Sequence, residues 1–104
     1  MIYNVVISRK ADDQLRAIFR YISHEASPAT AKRYTESILS YCAGFNIFPL
    51  RGNIHNDIRP GMRITHYKKR CVIAFDVEGD TVTIQGIFYG GQDYESQLAG
   101  ELDE

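Results

Sequence analysis

The side chains best suited to chemistry lie in the second half of the chain. Arg63 follows a Pro-Gly pair at the start of a strand-like run, where its guanidinium could offer a forked, permanently charged donor to a carboxylate or a phosphate. The same guanidinium could instead form a structural ion pair with an acid of the C-terminal segment. The residue type alone leaves both roles open.

A basic tripeptide and two tyrosines are the other candidates. Lys68-Lys69-Arg70 separates two strand-like runs. Such a turn suits contact with a nucleic-acid backbone, or it protects a sheet from edge-to-edge aggregation. Tyr89 and Tyr94 flank the Gly90-Gly91 break. They could stack on a base or on a partner surface, or they could cover the core.

The sequence carries no motif for a metal, a cofactor or a nucleophile. His24, His55 and His66 are scattered over different segments, with no metal-ligand spacing among themselves or with Cys42 and Cys71. No nucleophile elbow and no glycine-rich phosphate loop is present. We therefore predict no metal and no cofactor, and we predict that both cysteines are buried free thiols.

Length and charge narrow the class of protein. The chain has 104 residues, which predicts a single domain, residues 1–104. It has no apolar run of about 18 residues and no basic, apolar leader, so we expect a cytoplasmic protein with no membrane partner. Residues 51–70 carry six bases and one acid, whereas residues 76–104 carry eight acids and no base. This segregation predicts a basic face and an acidic C-terminal segment.

The first half of the chain predicts a strand followed by a helical hairpin. Residues 2–7 are rich in β-branched and aromatic side chains. Ser8 and Ser27 are placed to cap two helices, the second with Pro28 at its first position. Apolar residues recur at helical spacing in both, namely Ala11, Leu15, Ile18, Phe19 and Ile22, then Ala31, Tyr34, Ile38, Tyr41, Cys42 and Phe45.

The second half predicts a loop and an antiparallel meander. Residues 46–60 contain the prolines, glycines and asparagines that are typical of a loop. Strand-like runs follow at 62–67, 71–75 and 81–88, and a bulge is expected near Gly86. Asp93 could cap a short C-terminal helix at 94–98. The predicted fold is α+β, in the order β-α-α-β-β-β. An antiparallel helical hairpin packs on a mainly antiparallel four-stranded sheet, in which the first strand pairs with one distant in sequence.

Six segments in this order and spacing resemble a known family. They are the first-helix residues Ala11, Leu15, Ile18, Tyr21 and Ile22, and the segments 27–34, 48–52, 59–63, 72–75 and 84–94. Together they resemble the RelE/ParE superfamily of toxins from type II toxin–antitoxin systems, and specifically its ParE branch. The resemblance implies a bacterial toxin that is neutralised by a ParD-like antitoxin encoded beside it.

The resemblance implies one of two targets. ParE-like members poison DNA gyrase through protein–protein contact, whereas RelE-like members cut mRNA in the ribosomal A site. For a RelE-like enzyme the candidate catalytic residues would be Arg63 and Tyr94. Gln92, however, stands where the superfamily often has an arginine, and no Lys or Arg follows Cys71. Metal-free RNA cleavage needs cations near the developing phosphorane charge, so this departure favours a non-enzymatic gyrase inhibitor.

The sites expected from this reading fall into two groups. Residues expected to contact the target or partner are Arg63, Lys68, Lys69, Arg70, Tyr89, Gln92 and Tyr94. Those expected to form the antitoxin groove are Leu15, Phe19, Tyr34 and Ile38. We expect no direct sequence-specific binding of nucleic acid. The alternatives are a ribosome-dependent mRNA endonuclease and a diverged, inactive toxin that only binds its antitoxin.

Overall fold

Two serine-capped helices and five strands make up the computed structural model, which describes residues 2–90. The elements are β1 (Asn4–Ile7), α1 (Arg9–Glu25), α2 (Pro28–Ala43), a 3₁₀ turn (Gly44–Asn46), β2 (Asn53–Ile54), β3 (Arg63–Tyr67), β4 (Cys71–Glu78) and β5 (Thr81–Tyr89). The predicted helix at 94–98 lies outside the described residues.

Both predicted helix caps are present. The Ser8 hydroxyl accepts from the Ala11 N–H at 3.1 Å, and the Ser27 hydroxyl accepts from the Thr30 N–H at 3.1 Å. These bonds satisfy N–H groups that have no partner within the helix, which explains why each helix begins where it does. The second helix ends at Ala43, and its predicted apolar row reaches Phe45 through the 3₁₀ turn.

The sheet has the order β1-β5-β4-β3-β2. β1 is parallel to β5, and all other pairs are antiparallel. The predicted α+β class and the long-range pairing of the first strand are therefore confirmed. The predicted count of four strands is wrong, because Asn53 and Ile54, within the expected loop, pair with β3. A two-residue strand is too short to leave an alternating pattern in the sequence.

The helices cover one face of the sheet and form the main core with it. Its largest fully buried members include Phe45, Phe75, Ile38 and Ile84. A smaller cluster, containing Met62, Ile64 and Phe88, covers part of the other face. Because both faces carry apolar residues, β4 and β5 are largely buried.

A bulge lies where the sequence predicts it. Ala74 pairs with Gly86 but Phe75 pairs with Ile84, so Gln85 is the extra residue of β5. The Ile87 N–H donates to Oε1 of Gln14 on α1, at 2.8 Å. A side chain of the first helix thus supplies a partner for backbone next to the bulge.

Within residues 2–90, no helix is both long enough and apolar enough to cross a membrane.

We expect Gly52→Ala to be far more destabilising than Gly61→Ala. Both glycines have left-handed φ angles, 69° and 79°. A Cβ at position 52 would lie 2.1 Å from the Ile64 carbonyl oxygen, whereas one at position 61 meets nothing within 4 Å. Gly61→Ala should cost roughly 1–2 kcal/mol of unfolding free energy. Gly52→Ala should cost about 4 kcal/mol or prevent folding. Urea denaturation measures both, and equal losses would contradict the backbone clash.

Candidate functional site

The basic tripeptide forms the exposed turn between β3 and β4. Lys68 has a left-handed φ of 54°, uncommon for a residue with a side chain. Its ammonium lies 5.3 Å from the centre of the Tyr67 ring and 5.6 Å from that of Tyr34. These are cation–π distances, so the charge is held against an aromatic wall. We name Lys68, Lys69 and Arg70 the basic turn.

Tyr89 lies between two other tyrosines, where β5 ends. Its ring centre is 6.0 Å from that of Tyr21 on α1 and 5.4 Å from that of Tyr34 on α2. The Tyr34 hydroxyl is buried and has no hydrogen-bond partner among the described residues. Burial raises the pKa of Tyr34 to about 12; the nearby Cys71, Tyr89 and Tyr67 also raise it, while Arg70 opposes them. Tyr34 is therefore uncharged at neutral pH, where it contributes an aromatic surface rather than a proton-transfer group.

A cavity of about 400 Å³ opens beside these rings. Its lining residues are Gln14, Ala17, Ile18, Tyr21, Arg70, Ile87, Tyr89 and Gly90. The Gly90 N–H donates to the Arg70 carbonyl oxygen at 2.9 Å, which joins the end of β5 to the basic turn. We name this cavity the tyrosine pocket. An apolar floor, aromatic walls and one guanidinium suit an apolar or aromatic side chain that carries or neighbours a carboxylate.

Arg63 does not belong to this pocket. It begins β3, and Lys68 follows the end of that strand. Five residues of extended chain separate their Cα atoms by about 17 Å. Arg63 is half-buried, and its guanidinium donates to the Arg51 carbonyl oxygen at 3.5 Å. No carboxylate within the described part of the chain forms an ion pair with it.

Of the seven residues expected to contact the target or partner, the structure brings three together. Arg70 and Tyr89 line the tyrosine pocket, and Lys68 contacts the adjoining Tyr34. Gln92 and Tyr94 lie outside the described residues. Sequence reasoning missed Tyr21 and Gln14, which complete the pocket. Tyr21 is exposed, and it lies in the first-helix segment that carries the family resemblance. That resemblance is the signal in the sequence that could have identified it.

The four residues expected to form the antitoxin groove do not share one surface. Ile38 is fully buried in the core, and Tyr34 lies against Tyr89. Leu15 and Phe19 do line a groove, of about 410 Å³, between the two helices. Its full lining is Asp12, Leu15, Arg16, Phe19, Arg20, Thr35 and Leu39, and we name it the helix groove. Thr35 and Leu39 lie four residues apart, so both fall on the side of α2 that lines this groove, beside the apolar stripe that the sequence predicts.

Metal chemistry has no candidate centre in the described region. No group of three or more His, Cys, Asp or Glu side chains lies close enough together there to hold an ion. Cys42 and Cys71 are both free and buried, as predicted. Burial raises the pKa of each thiol to about 12, and for Cys42 the neighbouring Cys71 adds to the rise. Thiols held neutral in this way are poor nucleophiles and poor metal ligands.

Alkaline pH should destabilise the fold through these groups. In the unfolded chain the thiols ionise near their ordinary pKa of 9.0 and Tyr34 near 10.0, whereas in the fold all three ionise near 12. Their contribution to stability is therefore complete below pH 9 and is lost as the pH rises towards 12. The unfolding free energy, measured by urea titration, should fall across this window. In Cys42→Ala the fall between pH 9 and 10 should be shallower; an unchanged slope would contradict the assignment.

Comparisons with known proteins identify the family. The model of the family described as "ParE toxin of type II toxin-antitoxin system, parDE" matches residues 5–94. Among solved structures, a chain of the chromosomal ParDE TA system from P. aeruginosa is similar in fold. The TM-score is 0.75 at 20% sequence identity, over 86% of this chain and 97% of that one. A search of curated protein sequences finds no match. Since the family model spans both helices and β1 to β5, the chain belongs to the ParE toxin family of type II toxin–antitoxin systems.

Proposed function

We propose that this ParE-family toxin inhibits DNA gyrase by protein–protein contact in the cytoplasm, and that a ParD-like antitoxin neutralises it. The proposal is supported by membership of the family and by the kind of surface that the fold presents. It requires two contact surfaces, one for the target and one for the antitoxin, and no catalytic group.

The observation that carries the proposal is the separation of Arg63 from the basic turn. Cleaving RNA without a metal requires cations and a proton-transfer group to converge on one phosphate. The Cα atoms of Arg63 and Lys68 lie about 17 Å apart at opposite ends of β3, and the Arg63 guanidinium donates to the Arg51 carbonyl oxygen rather than facing the basic turn. Contact inhibition is unaffected by this separation, because binding energy can come from one cluster of residues.

The target surface is proposed to be the tyrosine pocket together with the basic turn. Tyr21 and Tyr89 offer aromatic walls, and Arg70 offers a charged group at the rim. Tyrosine and arginine are the residue types that most often dominate the free energy of protein–protein binding. The pocket is formed by three elements, α1, β5 and the basic turn, so it is largely pre-organised.

The antitoxin surface is proposed to be the helix groove. Leu15, Phe19 and Leu39 supply its apolar residues, and Phe19 and Leu39 are exposed. Arg16 is paired with Asp12 at 3.0 Å, whereas Arg20 has no ion-pair partner among the described residues. A groove of this kind suits the apolar face of an amphipathic helix with acidic flanks.

We expect the purified toxin to block supercoiling of plasmid DNA by gyrase and to accumulate cleaved DNA. Arg70→Ala should raise the half-inhibitory concentration by about tenfold, as expected for a central charged contact. Arg9→Ala, which removes an exposed guanidinium outside the pocket, should leave that concentration unchanged.

Other results of these assays favour the alternatives. Unaffected gyrase together with mRNA cut in translating extracts would identify a ribosome-dependent endonuclease. Induced expression without a growth defect would identify a diverged toxin that has lost its activity and only binds its antitoxin.

Substitutions in the helix groove should affect antitoxin binding alone. We expect Phe19→Ala and Leu39→Ala each to weaken binding of the protein encoded beside the toxin on the order of tenfold, because each removes an exposed apolar contact. Arg70→Ala, outside the groove, is the matched control. Isothermal titration calorimetry measures these affinities. Equal losses for the groove and control variants would show that the antitoxin binds elsewhere.

A further inference from the structure

Exposed apolar side chains cluster in the segment that joins the 3₁₀ turn to β2 and in β2 itself. Ile47, Phe48, Leu50 and Ile54 are 59%, 64%, 66% and 52% exposed. Single exposed apolar residues are ordinary on a protein surface, but four within eight residues form a patch typical of an interaction site. We name residues 47–54 the apolar strap. None of its residues lines the tyrosine pocket or the helix groove.

The strap is held in place rather than loosely attached. The Arg51 guanidinium lies 5.2 Å from the Tyr41 ring centre, 5.4 Å from that of Phe45 and 5.9 Å from that of Phe48. Its Nε donates to the Phe48 carbonyl oxygen at 3.2 Å. At the far end, Gly52 packs directly against the Ile64 carbonyl. A partner would therefore meet a preformed surface and lose little entropy in ordering it.

The strap ends in a sheet edge with free backbone groups. The His55 N–H donates to the Met62 carbonyl oxygen at 2.7 Å, and Ile54 pairs with Arg63. Hydrogen-bonded and non-hydrogen-bonded pairs alternate along antiparallel strands. The Ile54 N–H and C=O therefore point away from β3, and no residue of the described range bonds them. Such groups are a template for another strand.

The surroundings of this edge are basic. Arg51, Arg59 and Arg63 lie in or beside the strap, and none forms an ion pair with a carboxylate within residues 2–90. Asp57, the single acid of this stretch, lies 3.9 Å from the His55 ring. Arg63 stands directly opposite Ile54 in the register. An incoming strand with acidic side chains would find unpaired cations here.

We propose that the apolar strap and the β2 edge bind an extended, acidic segment of a partner protein, which adds to the sheet as a sixth strand. Its backbone pairs with the Ile54 N–H and C=O. Apolar side chains on one face of the segment pack on Phe48 and Leu50, and carboxylates meet Arg59 and Arg63. The combination of backbone pairing and alternate side-chain contacts is the general mode of strand addition. This surface is separate from both surfaces of the proposed function.

A second copy of the toxin fits the edge less well. Two β2 edges brought together would place the arginines of this stretch near the same arginines of the other copy, at a cost in repulsion.

The test uses the full chain and a labelled eight-residue peptide of alternating valine and glutamate, with blocked ends. Fluorescence anisotropy measures binding. The same peptide with lysine in place of glutamate should bind at least about tenfold more weakly. The same peptide N-methylated at alternate residues should not bind, because it cannot pair with the edge. No binding of the acidic peptide, or equal binding of the lysine peptide, would overturn the proposal.

Substitutions at the edge locate the site. Ile54→Pro removes the outward N–H but no bond to β3, and edge strands tolerate proline there. Ile54→Pro should weaken binding of the acidic peptide at least about tenfold, whereas Ile54→Val should change the affinity for that peptide by less than about twofold. Leu50→Ser, a change at an exposed side chain, should also weaken it while leaving the circular dichroism spectrum unchanged. Unchanged affinity in both Ile54→Pro and Leu50→Ser would place the peptide elsewhere. A dimer in sedimentation that Ile54→Pro dissociates would make a second copy the occupant.

Discussion

The bond from Gln14 to the backbone of β5 is the constraint on which the proposed target surface and the proposed antitoxin surface both depend. A bulge in a central strand interrupts the ladder, and a buried N–H left without a partner is costly. Gln14 supplies the acceptor for Ile87, and so fixes how α1 is rotated and how far it is advanced along the sheet. Tyr21 lies two helical turns further on, close to the same face, and reaches the tyrosine pocket. Leu15 and Phe19 lie towards α2, where they line the helix groove.

This arrangement places the proposed target surface and the proposed antitoxin surface on two sides of one helix. The tyrosine pocket lies where α1 meets β5, and the helix groove lies where α1 meets α2. A partner that fills the groove therefore packs against the helix that also contributes Tyr21. If the antitoxin binds the helix groove as proposed, it could act without occupying the pocket itself by changing the position or the accessibility of α1.

The sequence predicts the elements of this fold well because their signals are local. Ser8 and Ser27 mark the helix starts through a bond three residues away, and Gly86 marks the bulge through its lack of a side chain. The errors come from contacts distant along the chain. Ile38 belongs to the apolar stripe of α2 whether that stripe faces a sheet or a groove, so only the packing shows that it is buried. β2 could not be predicted from the sequence for the same reason, because it exists only through its pairing with β3. Nor could the pocket, to which Gln14 and Arg70 contribute from distant segments.

The position of β5 in the sheet has a consequence for synthesis of the toxin. Among residues 2–90, β5 is the last strand in sequence order, yet it lies between β1 and β4 and contacts α1. The first strand and the helical hairpin emerge from the ribosome long before the strand that completes their core. Pairing of this kind, between segments far apart in sequence, is slow to form and cannot begin until both segments are present. The nascent chain therefore has neither the pocket wall formed by Tyr89 nor a closed core until translation has passed β5, so the folded protein appears only after this strand has been made.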